Sequence, residues 1–213
     1  MAKKDRMGAR VKRDQKKPFK MPAMEYYLIV TDTEATERHY FEGLRRNLPQ
    51  DVQEKICLKV CHVKTAELVE KCKSLAVYKA QYCKCWIVFD RDRVRKFDEI
   101  IDEAKSCGIS VGWSNPCFEI WLFAYFGEMP TLTESQQCCS EFGHVYKRKT
   151  GQQYKKSDIK LYEKIFGNGD EEGALRRARQ RLEQHRREMK KQPSEMCPAT
   201  TVHELVGKIR GNG

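Results

Sequence analysis

The sequence predicts an α/β fold: a parallel sheet of about four strands with helices on both faces, followed by a basic helical extension. Three observations predict it. Short continuous apolar runs recur, as expected of strands covered on both faces. Each run is followed by a segment with apolar residues at helical spacing. Four such strand-then-helix rounds fit within about a hundred residues, and a crossover through a helix sets successive strands parallel. In folds of this kind the ligand site lies at the carboxyl ends of the strands, where strand order reverses.

The elements follow in order. Residues 1–23 open with "MAKKDRMGARVKRDQKK" and end in "PFKMP". Their prolines and lack of apolar period predict a disordered basic arm. "YYLIV" (26–30) is the first strand, and "EATERHYFEGLRRNL" spaces Tyr40, Phe41, Leu44 and Leu48 as a helix. "KICLKVCHV" alternates as a strand and "AELVEKCKSLAVY" reads as a helix. "CWIVF" (85–89) is the third strand; the helix "FDEIIDEAKSCG" follows it, with Gly108 where a stop is expected. "ISVGW" and the apolar helix "CFEIWLFAYF" complete an α/β domain over residues 24–127.

From 128 to 172 the chain is polar and turn-rich, and "HVYKRKTGQQYKK" interleaves Tyr146 and Tyr154 with cations that include Lys155 and Lys156. "GALRRARQRLEQHRREMKK" predicts a basic helix with a narrow apolar stripe of Leu175, Ala178, Leu182 and Met189. "PATTVHELVGKI" predicts a final helix capped by Thr200 or Thr201, with Glu204 three residues after the latter. Residues 128–213 are thus read as a basic extension packed on the same domain.

A net charge of +11, from 41 Lys and Arg against 30 Asp and Glu, favours polyanionic partners, nucleic acid first among them. Arg176, Arg179 and Arg186, with Lys155 and Lys156, are the expected contacts to its backbone. No apolar run is long enough to span a bilayer and the amino terminus lacks a signal-peptide core, so a cytoplasmic protein without membrane attachment is expected. The ten cysteines include no CxxC pair; the tight groupings are Cys57/Cys61-His62, Cys83/Cys85 and Cys138/Cys139. Reduced, half-buried cysteine is the expected state, with a zinc site assembled from distant pairs as the alternative.

Acidic residues gather at two predicted strand ends. "VTDTEATE" gives Asp32, Glu34 and Glu37; "FDRD" gives Asp90 and Asp92. Like charges one residue apart are unfavourable unless a cation neutralises them. If strands one and three are neighbours, these carboxylates share one rim. Hard oxygen ligands grouped this way suit Mg²⁺ or Mn²⁺, which in turn bind phosphate. Two simpler accounts compete: Glu34 and Glu37 favour a helix dipole, and Arg91 and Arg93 pair with the aspartates. Glu119 lies early in an apolar helix just past Pro116, suited to the site or merely to the helix start. Ser114 and Asn115 are placed to donate to phosphate or to cap that helix.

"YYLIVTDTEATERHYFEGL", "WIVFDRDR" and "GISVGWSNPCFEIWLFAYF", in this order, together with the "PATTVHELVGKI" tail, resemble the RloB family of bacterial defence-island proteins. The resemblance implies a three-layer Toprim-like fold related to the nuclease domains of overcoming-lysogenization-defect proteins. It also implies Mg²⁺ binding by Asp90 and Asp92 and an ABC-type ATPase as partner. The family's first-strand motif reads "CEGEKTE"; here Asp32 stands at its glutamate and Thr33 at its glycine, which shortens the reach of the presumed base by about one methylene. Either Asp32 serves or Glu34 replaces it. The function implied is metal-dependent phosphodiester hydrolysis of RNA, such as tRNA, or DNA, as effector of an ATPase-linked phage-defence (abortive-infection) system.

Other readings fit parts of the chain. "IVFDRDRV" matches the first motif of haloacid-dehalogenase-type phosphatases, with Asp90 as nucleophile, yet no later strand supplies their paired aspartates. That reading would also leave the strand-one carboxylates unexplained. A glycosyltransferase DxD site is a second, but the chain is short for a nucleotide-sugar domain plus an acceptor site. A non-catalytic nucleic-acid-binding partner of the ATPase, its acidic site decayed, is the third.

Overall fold

The computed structural model describes residues 25–32, 35–78, 84–92 and 94–211. The basic arm and Glu34 lie outside them. In chain order the elements are β1 (Tyr27–Thr31), α1 (Thr36–Arg46), α2 (Gln50–Gln53), β2 (Ile56–Val60), α3 (Leu68–Tyr78), β3 (Lys84–Asp90), α4 (Phe97–Ser106), β4 (Ser110–Asn115) and α5 (Glu119–Phe126). Then come α6 (Ser135–Thr150), α7 (Leu161–Asn168), α8 (Glu171–Arg187), β5 (Ala199–Thr200) and α9 (Val202–Arg210).

The sheet runs β2-β1-β3-β4-β5. Its first four strands are parallel and β5 pairs antiparallel with β4, so the four expected strands gain a fifth. β1 and β3 are neighbours, as the convergence of acidic strand ends requires. The chain leaves β1 towards β2 and leaves β3 towards β4. The switch point therefore falls between β1 and β3, where the crevice of such a sheet opens.

Alternation along the strands feeds two cores. Tyr27, Ile29, Trp86 and Val88 face α1, α5 and α9, whereas Leu28, Val30, Ile87 and Phe89 face α3 and α4. Both faces being covered explains the continuous apolar runs. Each large side chain fully removed from water stabilises the fold by roughly 2 kcal/mol before entropy is counted.

The carboxyl-terminal extension shares this core. Phe142, Tyr146, Leu161, Tyr162 and Ile165 are buried with the α1 and α5 residues. Tyr40 and Tyr125 join hydroxyls at 2.7 Å, Tyr125 and Tyr162 each donate to Glu171 at 2.8 Å, and Arg210 donates to the same carboxylate at 2.7 Å. That network ties α1, α5, α7, α8 and α9 together. Gly43 permits the approach of α1 to α7, since a Cβ there would collide with the Tyr162 Cβ.

The structure corrects three expectations here. The stretch 128–172 is not mainly turns: it carries α6 and α7. The apolar stripe of α8 ends at Leu182, with the polar His185 buried after it, and Met189 lies past the helix, exposed and at φ 61°. Of the two expected caps, Thr201 stands at the cap position but turns its hydroxyl away, donating to the Val111 carbonyl at 2.7 Å and accepting from the Trp113 N–H, whereas the Thr200 hydroxyl, at the end of β5, accepts the Val202 N–H of α9 at 3.1 Å. Among the described residues no helix is long and apolar enough to cross a membrane.

Candidate functional site

The β1–β3 register pairs Thr31 with Val88. Continued one residue, it sets Asp32 level with Phe89, beside Asp90. The backbone after β3 is held as firmly as the strand: Arg91 N–H donates to the Ser114 carbonyl at 2.9 Å and Asp92 N–H to the Pro116 carbonyl at 3.0 Å. The "DRD" segment thus follows β4 to its end and into the Asn115–Pro116 turn. Thr65, in the short 3-10 turn that precedes α3, donates to Asp32 Oδ2 at 2.5 Å.

Asp32, Asp90 and Asp92 line one cleft of about 720 Å³. Val63, Val94 and Ile100 supply apolar wall, and Lys64, Arg95 and Lys96 supply cations. Among the described residues, none of the three carboxylates belongs to a group of three or more ligand atoms within 4.8 Å of one another. Among the described residues neither Asp90 nor Asp92 forms an ion pair with arginine, so Arg91 is not the counterion of the pair.

Behind Asp90 lies Glu119, in the first turn of α5 and 1% exposed. The Phe118 N–H donates to Asp90 Oδ2 at 3.3 Å. Glu119 Oε1 accepts from the Tyr154 hydroxyl at 2.8 Å and pairs with Lys156 Nζ at 3.1 Å. Tyr154 also bonds the Thr36 hydroxyl at 3.2 Å, which fixes the 151–160 loop over the start of α1.

These contacts separate buried Glu119 from half-buried Asp90. Desolvation and then the Glu119 charge push Asp90 up to about 7, against which the Phe118 N–H and Lys156 act only partly. Burial also works against the Glu119 charge, but the Lys156 ammonium and the Tyr154 hydrogen bond hold Glu119 below the usual carboxylate range. The pair therefore carries one settled negative charge and one that is costly without a cation.

Of the residues read from sequence, Asp32, Asp90 and Asp92 meet in the cleft, and Glu119 sits against Asp90 without lining it. Lys155 and Lys156 are both exposed, and the Lys156 ammonium is directed to Glu119. Arg176, Arg179 and Arg186 are exposed on α8, which packs against α5, α9 and β5, and none lines the acidic cleft. Arg179 and Arg186 instead line a separate cleft of about 310 Å³ with His203 and Lys208. Ser114 and Asn115 are corrected: Ser114 bonds Thr200, and Asn115 donates to the Pro193 and Ser194 carbonyls, so neither reaches phosphate nor caps α5.

Sequence reasoning missed Lys64, Thr65, Arg95 and Lys96 around the cleft, and the use of Tyr154 to hold Glu119. The position of Lys64 and Thr65 just after the second strand was the available signal, because that strand ends on the same rim. Nothing in the sequence marks the 35-residue span from Glu119 to Tyr154.

The family whose model matches is described as RloB-like protein, and the match covers residues 27–209. No curated protein and no solved structure matches the chain.

Proposed function

The chain belongs to the RloB-like family, and from that premise we propose that it is a Mg²⁺- or Mn²⁺-dependent nuclease. The observation that carries this is the convergence of Asp32, Asp90 and Asp92, from two adjacent strand ends, on a cleft that also presents Lys64, Arg95 and Lys96. The donor set fits such an ion. All three are hard oxygen ligands, their open spacing leaves room for the waters that Mg²⁺ retains, and Asp90 is held at a pKa that a neighbouring cation would relieve.

Asp90 and Asp92 would hold the ion, with Asp32 opposite them. When bound, it supplies a Lewis acid for the phosphodiester and neutralises developing charge. Asp32, fixed by Thr65, or Glu34 orients the attacking water and accepts its proton. Lys64, Arg95 and Lys96 bind the flanking phosphates, and the arginines of α8 hold more distant backbone. Glu119, buried and charged, keeps Asp90 short of positive charge and so favours cation uptake. The family resemblance adds the setting: a cytoplasmic effector of phage defence, controlled by an ABC-type ATPase.

The test co-expresses the protein with its ATPase and follows RNA and DNA with Mn²⁺, comparing wild type with Asp90→Ala and Glu34→Ala. Cleavage should disappear with Asp90→Ala and with chelator. Cleavage that survives either would refute the mechanism; retained nucleic-acid binding with no cleavage by wild type would replace it with the non-catalytic reading.

A further inference from the structure

A second group of ligands lies on the far side of Glu119. Cys117, in the turn that leads into α5, and Cys139, early in α6, bring their sulfurs within 4.8 Å of one another and of a Glu119 carboxylate oxygen. Among the described residues this is the group of three His, Cys, Asp or Glu side chains that converges so tightly. Cys117 and Glu119 are buried and Cys139 is half-buried.

The two oxygens of Glu119 are treated differently. Oε1 has both Tyr154 and Lys156, whereas Oε2 is buried and receives no hydrogen bond. The Cys117 thiol stands near enough to favour the Glu119 charge without reaching hydrogen-bond geometry, and its own acceptor is a 3.9 Å contact to the Ser135 carbonyl. A carboxylate oxygen buried without a donor is unfavourable unless another ligand takes it.

We propose that Cys117, Glu119 and Cys139 bind a single zinc ion. Two thiolates select a soft divalent cation over Mg²⁺. Tetrahedral Zn²⁺ with bonds of about 2.0–2.3 Å needs ligand atoms roughly 3.3–3.8 Å apart, so closing the set takes side-chain shifts of about 1–1.5 Å at most. Charge also balances: two thiolates, one carboxylate and Zn²⁺ leave one negative charge, which the Lys156 ammonium offsets. Lys156 and Tyr154 keep Oε1, the ion takes Oε2, and solvent at the half-buried Cys139 side fills the fourth position. The ligands come from α5 and α6, so the ion also clamps these helices together. This site shares Glu119 with the nuclease reading but does not depend on it, because its readout is binding.

The experiment titrates the full chain with zinc against a chromogenic chelator and records the absorption of its cobalt form. Wild type and Cys107→Ser, an exposed and remote control, should bind one equivalent and show a sulfur-to-cobalt charge-transfer band. Cys139→Ser and Cys117→Ser should lose that equivalent and the band while melting like wild type in the absence of metal. Absence of a thiolate band in wild-type protein would overturn the proposal without recourse to any variant. So would retention of the equivalent by Cys139→Ser, which would assign the zinc to other cysteines.

Discussion

Replacing Asp90 by Asn should stabilise the metal-free protein, and by an amount that depends on pH. The carboxyl is raised from 3.8 to about 7 by burial and by Glu119. A group whose folded pKa lies above its unfolded one binds more protons in the native state, so stability falls as pH rises between the two values. Between those two values the uncompensated charge costs at most about 4 kcal/mol, lessened by solvent at the half-buried carboxyl. Asn keeps an acceptor for the Phe118 N–H and removes the charge. Urea unfolding of both proteins in chelator, from pH 4 to pH 9, measures the difference. The gap should open by at most about 1.4 kcal/mol per pH unit between pH 4 and pH 7 and then level off. Adding Mg²⁺ at a hundred times its dissociation constant should return about 2.7 kcal/mol to wild type and nothing to the variant. Parallel stability curves across this range would show that Asp90 bears no uncompensated charge, and the reasoning would fail.

Other outcomes follow from the same contacts. Tyr154→Phe removes a donor to the buried Glu119 carboxylate; it should cost about 1–3 kcal/mol in thermal or urea unfolding and raise the Glu119 pKa. Glu171→Ala strands Tyr125, Tyr162 and Arg210 at once, and should destabilise by about 3–5 kcal/mol, read by calorimetry. Neutralising Arg176, Arg179 and Arg186 together should weaken nucleic-acid binding and lessen the slope of log affinity against log salt by up to about 3; an unchanged slope would make α8 a solvated surface only.

The parallel sheet was legible because its strands are covered on both faces and so read as unbroken apolar runs: "YYLIV" and "CWIVF" each lie within a residue of β1 and β3. The adjacency of those two strands fits the expectation that their acidic ends share one rim. α6 and α7 were hidden. Their buried residues, Phe142, Tyr146, Leu161, Tyr162 and Ile165, are spaced among lysines and glutamines, and Tyr146 buries its ring although its neighbours in sequence include cations. β5 is two residues long and has no period to detect. In the site, Asp90 and Asp92 were evident from their unfavourable spacing. Lys156 was assigned by composition to nucleic acid, but burial of Glu119 decides its partner, and burial at that range is a property of the fold alone.

Whether Asp90 and Asp92 hold a divalent cation is decided by calorimetric titration of Mn²⁺ into wild type, Asp90→Asn and Asp92→Asn at pH 8. Wild type should bind saturably, with binding largely abolished in Asp90→Asn and weakened in Asp92→Asn. Equal affinity in wild type and Asp90→Asn would contradict this assignment.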